Sequence, residues 1–237
     1  MPPLGPPSLF GVTVRRSFAV GRFFLGYGIA VSLFLGVVEA LSGGTTYDSS
    51  FPFLLPIFGV VGSMGALVVF TNDRVKGVLE YLLAYGLSPR AIFANILATA
   101  LVMVSLVVAV AVGGSLAFYV GTGHQPTVQL AELLLAYGIP MSFATSAFAA
   151  TVGMYWTALS SPRAGMNSPI GLIPFVGILP SLIALFVLIF LAARGIFSAT
   201  ELLLVAVGVV SGVIVIVLAL LAASSRLLRR EELLSPA

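Results

Sequence analysis

Six long apolar stretches constrain this chain more than any other feature: Phe23 to Leu41, Phe51 to Phe70, Ala91 to Val120, Leu130 to Leu159, Ile170 to Ala193 and Glu201 to Ala223. A helix needs about 20 apolar residues to cross the hydrocarbon core of a bilayer. Inside lipid every backbone N–H and C=O must be satisfied within the segment, which favours helices for stretches of this kind. Composition points the same way. Hydrophobic residues make up 59% of the chain and charged residues 8%, whereas soluble domains carry about 25% charged residues. There is too little polar side chain to coat a water-exposed surface. The expected fold is all-α: a polytopic membrane protein with six transmembrane helices over residues 23–223. The third and fourth stretches are long enough to tilt or to project beyond the membrane. The connections are short, so no soluble domain is inserted.

The placement of basic residues predicts the orientation, because cytoplasmic loops are enriched in Lys and Arg. Arg15, Arg16, Arg22, Arg74, Lys76, Arg90, Arg163, Arg226, Arg229 and Arg230 fall on one side of the six-span layout, and Arg194 alone on the other. The first side is therefore expected to be cytoplasmic, with both termini there and the chain multi-pass in the cell membrane. Asp48 and His124 lie in the short loops of the opposite side. Tyr155 and Trp156 fall near the cytoplasmic end of the fourth span, where aromatic anchors are expected. Pro2, Pro3, Pro6 and Pro7 do not make a signal peptide, which needs a basic segment, an apolar core and a small-residue cleavage site. The N-terminus is expected to be retained.

Residues 1–22 and 224–237 form the cytoplasmic ends. Within the first, Ser8 to Arg22 is expected to be an amphipathic helix lying in the membrane interface. Ser8 is a suitable N-cap, and Phe10, Val14 and Phe18 form an i, i+4 apolar stripe. Arg15, Arg16 and Arg22 are available for lipid phosphates.

The connection between the second and third spans, Thr71 to Arg90, has the most pattern. Val75, Val78, Leu79, Leu82 and Leu83 recur at helical spacing and make one apolar face. Asn72 is placed to cap this helix, with Asp73 at the positive end of its dipole. Gly86 supplies a left-handed stop, and Ser88-Pro89 restarts a helix as N-cap and N1. Arg74, Lys76 and Glu80 stand off the apolar face. Such a helix either floats at headgroup level or is gripped by a cytoplasmic partner.

This segment resembles a known family. The run Asp73-Arg74-x-Lys76-Gly77-x-Leu79-Glu80-x-Leu82-Leu83, followed by Leu87-Ser88-x-Arg90, is similar to the acidic-basic, Gly, Leu-Glu, Leu-Leu run of type-2 ATP-binding-cassette (ABC) exporter permeases. In that family the run also lies between the second and third of six helices. The resemblance implies that it is a coupling helix contacting a separate nucleotide-binding ATPase, through Asp73, Arg74, Lys76, Gly77, Leu79, Glu80, Leu82 and Leu83. It also implies a homodimer, or a heterodimer with a second permease, around the transport path. ATP and magnesium would then bind the partner subunit, with no cofactor held by this chain. Val78 and Tyr85-Gly86 stand where the family often has Thr and Thr-Pro. The family also often carries short re-entrant helices before the last span, and Pro174 and Pro180 could break the fifth span into such a feature.

Other chemistry is poorly supplied. The chain has no cysteine and a single histidine, His124, so neither a zinc site nor a histidine-based triad can be assembled. It has no Gly-rich phosphate loop ending in Lys, and Lys76 is its only lysine, so P-loop ATP binding by the chain itself is excluded. No enzymatic activity and no nucleic-acid partner are expected. Glu39, Glu132 and Glu201 lie near the exterior ends of spans. Glu132 precedes the most polar span, and with Ser142, Thr145, Ser146 and Thr151 it forms the candidate transport path; close helix packing is the alternative role for those small residues. Gly59, Gly62, Gly65 and the Gly208-x-x-x-Gly212 pair are expected on packing faces, at a dimer seam or within the chain. The competing functions are an ATP-independent carrier or channel, which would need ionisable groups near mid-membrane, and a membrane scaffold or assembly subunit of a larger complex.

Overall fold

The computed structural model describes residues 9–42, 44–159, 173–193 and 199–227, which are helical apart from short connections. In chain order they form α1 (Leu9–Leu41), α2 (Gly44–Val75), the short α3 (Val78–Ala84) and α4 (Pro89–Gly121). The next helix begins as α5 (Val128–Leu133), widens into a π-helical turn (Leu134–Gly138) and continues as α6 (Ile139–Leu159). Then follow α7 (Ile173–Ala193) and α8 (Ala199–Leu227). Among the described residues, five stretches are long and apolar enough to cross a membrane: Leu9–Val38, Ser50–Val75, Pro89–Gly121, Val128–Ala158 and Leu203–Ala223. Among the described residues of α7, Val176–Leu188 form a further apolar stretch. This is the architecture of a multi-pass membrane protein.

The distribution of side chains fits a lipid surround. Large apolar groups point outward, among them Phe23, Phe34, Phe186, Leu204 and Val215. Small hydroxyl residues are turned inward, including Ser32, Ser63, Thr99, Ser115 and Ser142. In lipid there is no hydrophobic drive between helices, so small residues that allow close backbone approach do the packing, and outer positions can be fully apolar.

α2 is the central helix and packs on α1, α4, α6 and α7. Gly59 faces Val104 and Ser142, Gly62 faces Val107, and Gly65 faces Gly21 of α1. These three glycines are therefore used within the chain. The Gly208 and Gly212 positions of α8 have open space around them. Polar and aromatic bridges tie the helix ends together. Phe93 of α4 packs edge-on to Tyr155 of α6, ring centroids 5.7 Å apart, and the Tyr155 hydroxyl donates to the Leu220 carbonyl of α8 at 2.6 Å. The start of α1, the end of α2, the start of α4 and the ends of α6 and α8 thus lie at one end of the bundle.

Several sequence expectations change. Residues 9–22 are not a separate interfacial helix, because α1 runs unbroken from Leu9 to Leu41. The apolar stripe Phe10, Val14, Phe18 suggested a surface helix. The buried face consists instead of Thr13, Ser17, Gly21, Gly28, Ser32 and Gly36. These small residues recur at i+4 and i+7, so one continuous face lies along α2 and α4 for almost the whole helix. Tyr155 is buried rather than a headgroup anchor, while Trp156 is exposed. α7 continues without a break through Pro180, so no re-entrant feature starts there. His124, expected in solvent, is half-buried and stacks on Tyr119 with centroids 4.9 Å apart. Residues 1–8, 160–172, 194–198 and 228–237, which include Ser8, Arg163, Arg194, Arg229 and Arg230, lie outside the described residues, as do the side chains of Glu39 and Asp48.

Candidate functional site

The corner between α2 and α4 is built by three local signals. α2 remains helical through Val75, and Gly77 then takes a left-handed φ of 72° that ends it. α3 follows for seven residues and stops at Gly86, φ 89°. There the Leu87 N–H donates to the Leu82 carbonyl and the Gly86 N–H to the Leu83 carbonyl, both at 3.1 Å. This paired closure satisfies carbonyls that a bare helix end would leave open, and glycine is favoured in its left-handed position. Ser88 then caps α4, accepting from the Ala91 N–H at 3.2 Å, with Pro89 in the first turn.

These signals correct the expected start of the short helix. Asn72 is not its N-cap, because Asn72 and Asp73 occupy the last turn of α2. The side chain of Asp73 turns inward, and its residue is 6% exposed. Arg16 of α1 reaches it with both guanidinium ends: Nη1 donates to Oδ2 at 3.0 Å, and Nη2 to Oδ1. Arg16 is therefore engaged with Asp73. Beside this pair, the Asn95 side-chain amide of α4 donates to Thr13 Oγ1 of α1 at 2.8 Å.

α3 is two-faced. Leu79 and Leu83 sink into the core with Phe70, Ile92, Phe93 and Ile96, while Val78 and Leu82 are half-buried. Val75 belongs to α2 and is exposed, not part of the apolar face. Lys76 and Glu80 are exposed and Arg74 is half-buried. Tyr81 and Tyr85 project furthest, at 68% and 87% exposed. The sequence reading missed these tyrosines, although their signal was available. They lie two residues beyond Leu79 and Leu83, a rotation of about 200° at 100° per residue, which places them opposite the buried leucines. Gly77 is required for its positive φ, and a Cβ there would meet only the Glu80 carboxylate, at 3.7 Å. Of the eight residues singled out around this corner, Arg74, Lys76, Gly77, Glu80 and Leu82 lie at the surface or half-buried, whereas Asp73, Leu79 and Leu83 face inward.

The candidate path residues are arranged differently. Ser142, Thr145, Ser146 and Thr151 are all fully buried on α6. Three of their hydroxyls are bonded to their own helix: Ser142 Oγ to the Gly138 carbonyl at 2.6 Å, Thr145 Oγ1 to Met141 at 2.7 Å, and Thr151 Oγ1 to Ala147 at 2.7 Å. Among the described residues, the buried Ser146 hydroxyl has no hydrogen-bond partner. Glu132 stands apart from them, exposed on α5. An open apolar groove of about 310 Å³ between α4, α6 and α8 is lined by residues such as Leu101, Phe143 and Leu218, and by none of these hydroxyls.

Comparison of the chain with protein-family models, characterised proteins and solved structures returns no match. The arrangement itself is a sharp corner between two long helices. A short helix is pinned by two leucines and presents two tyrosines and a mixed set of charges away from the bundle. Such a surface can bind another macromolecule, because large aromatic side chains ringed by charge supply binding energy and orientation respectively.

Proposed function

We propose that this chain is the transmembrane permease subunit of an ABC transporter of the exporter kind. In this reading six helices cross the cell membrane, both termini and α3 lie in the cytoplasm, and α3 docks a separate ATPase subunit. Two copies, or this chain with a second permease, enclose the path. ATP and magnesium are bound by the partner, whose closure pushes α3 and shifts the membrane helices between two arrangements. The observation that carries the proposal is α3 itself: a helix with its own start and stop, pinned through Leu79 and Leu83, with Lys76, Glu80, Tyr81 and Tyr85 facing out. It agrees with the family resemblance of Asp73 to Arg90. The assignment of Asp73 changes, because a carboxylate fully engaged by Arg16 is no docking contact. The burial of the four α6 hydroxyls favours a path formed between two copies over one through a single copy.

The deciding experiment is purification of the tagged chain from its native membrane, followed by identification of co-eluting proteins. A P-loop ATPase at fixed stoichiometry is expected, and its absence at every stoichiometry sinks the proposal in favour of a carrier or a scaffold. Orientation is tested separately. Because the natural chain has no cysteine, Lys76→Cys should react with an impermeant maleimide only from the cytoplasmic side, and His124→Cys only from outside.

A further inference from the structure

A partly open pocket of about 200 Å³ lies beneath α3. α1 walls it through Leu9, Val12 and Thr13, and α3 walls it through Val78, Leu79 and Leu82. Close-packed side chains transmit displacement because protein interiors are barely compressible, and Leu79 and Leu83 tie α3 to α2 and α4 through the core they share with Phe70, Ile92, Phe93 and Ile96. The polar link from this corner to α1 lies at the rim of the same pocket, which Arg16 and Asp73 line.

The rim contact is stiff for three reasons. The Arg16 fork holds both oxygens of the Asp73 carboxylate, which fixes orientation as well as distance. Asp73 is almost completely buried while the Arg16 side chain is partly exposed, so withdrawing Arg16 would leave the buried carboxylate uncompensated, and the contact resists opening. Asp73 also sits one turn before the Gly77 corner, on a helix that stays regular through Val75. The carboxylate therefore moves with the corner from which α3 projects. On the other side, Arg16 belongs to the continuous helix Leu9–Leu41, so a displacement of its first turns is carried along the whole of α1.

We infer that Arg16 and Asp73 form a strut that makes α1 move with α3, so that a partner docking on α3 drives α1 as a lever. This inference rests on the docking role proposed for α3, and both residues are positioning residues that act through it. The two leucines hold α3 to α2 and α4, and the strut extends that hold to α1.

The test uses the full chain in lipid nanodiscs, with spin labels at Phe10→Cys on α1 and Ala84→Cys on α3 in the natural cysteine-free background. The parent is expected to give one narrow interspin distance. Asp73→Asn should lose the narrow peak, and the exchanged pair Arg16→Asp/Asp73→Arg should restore it. Arg16→Lys, which keeps the charge but loses the fork, should give an intermediate width. A narrow peak in Asp73→Asn overturns the strut, as does an exchanged pair that folds but stays broad. Should Asp73→Asn not fold, Arg16→Lys and the exchanged pair decide. The second arm adds the co-purified ATPase. Docking should leave the α1–α3 distance constant in the parent, because the two move together, and change it in Arg16→Lys. A changed distance in the parent overturns the inference. If no ATPase docks, the proposed function fails, and the first arm still judges the strut.

Discussion

The crossing of α1 and α2 gives a prediction whose size can be worked from the coordinates. A Cβ built on Gly65 would lie 2.8 Å from the Gly21 Cα and 3.0 Å from the Ser17 carbonyl oxygen, both backbone atoms of α1. It would also lie 2.6 Å from the Met103 methyl, which can swing away. Backbone cannot, so Gly65→Ala must force the helices apart. Such overpacking costs about 1–3 kcal/mol. Against this, replacing Gly by Ala in a helix interior gains roughly 0.5–1 kcal/mol. Gly26 on α1 is the control, because nothing lies within 4 Å of a Cβ built there. The helical gain is common to both variants, so the difference between them isolates the contact: about 1–3 kcal/mol, or roughly 5- to 150-fold in the folding equilibrium. Reversible unfolding in mixed micelles of rising denaturing-detergent fraction measures it. Gly26→Ala should match or exceed the natural chain, and Gly65→Ala should fall below it. Equal stability of the two variants would refute the close crossing of α1 and α2, and with it the continuous docking of α1.

Four further outcomes follow from the corner and from α6. Tyr81→Ala with Tyr85→Ala should weaken ATPase retention by about 2 kcal/mol or more, as hot-spot aromatics do, with membrane insertion unchanged; retention on an affinity column at matched expression measures this. Glu80→Arg should also lower retention, by a smaller factor because exposed charges act mainly on encounter and register. Gly77→Ala should cost about 1–2 kcal/mol, the penalty for a left-handed residue with a side chain, read in the same micelle unfolding assay. Thr151→Val should cost less than about 1 kcal/mol there, because the lost hydroxyl bonds only to its own helix.

The membrane class and most span positions were legible because helix length and hydropathy are local properties. Ser88-Pro89 and Gly86 were legible for the same reason, since each acts through its own φ or through a bond within a few residues. The start of α3 was misplaced because Asn72 and Asp73 have the residue types of a cap, yet α2 simply continues through them, and Gly77 makes the break. The largest miss, α1, was a matter of which stripe to follow. Phe10, Val14 and Phe18 looked like a burying face for a membrane surface, while Thr13, Ser17 and Gly21 looked like nothing until Gly65 was placed opposite them. The Arg16–Asp73 pair spans 57 residues of sequence and leaves no local signal. Tyr81 and Tyr85 could have been picked out by rotation alone. Whether the α6 hydroxyls face a path or a neighbour depends on the helices around them, which spacing within one span does not determine.

The π-helical turn at Leu134–Gly138 has a consequence for how this span tolerates change in length. A π turn holds one more residue than the α turn it replaces, so α5 and α6 are out of phase by about 100°. On either side of that offset Leu130 reaches the core beside Tyr119, and Gly138 rests its backbone against Pro52, whose carbonyl oxygen would lie 2.9 Å from an added Cβ. Deleting Ala136 would let the span close into a regular helix, but would turn Leu130 away from its neighbours. The spare residue is thus a phase adjuster: without it, one straight helix could not satisfy both halves of its own span.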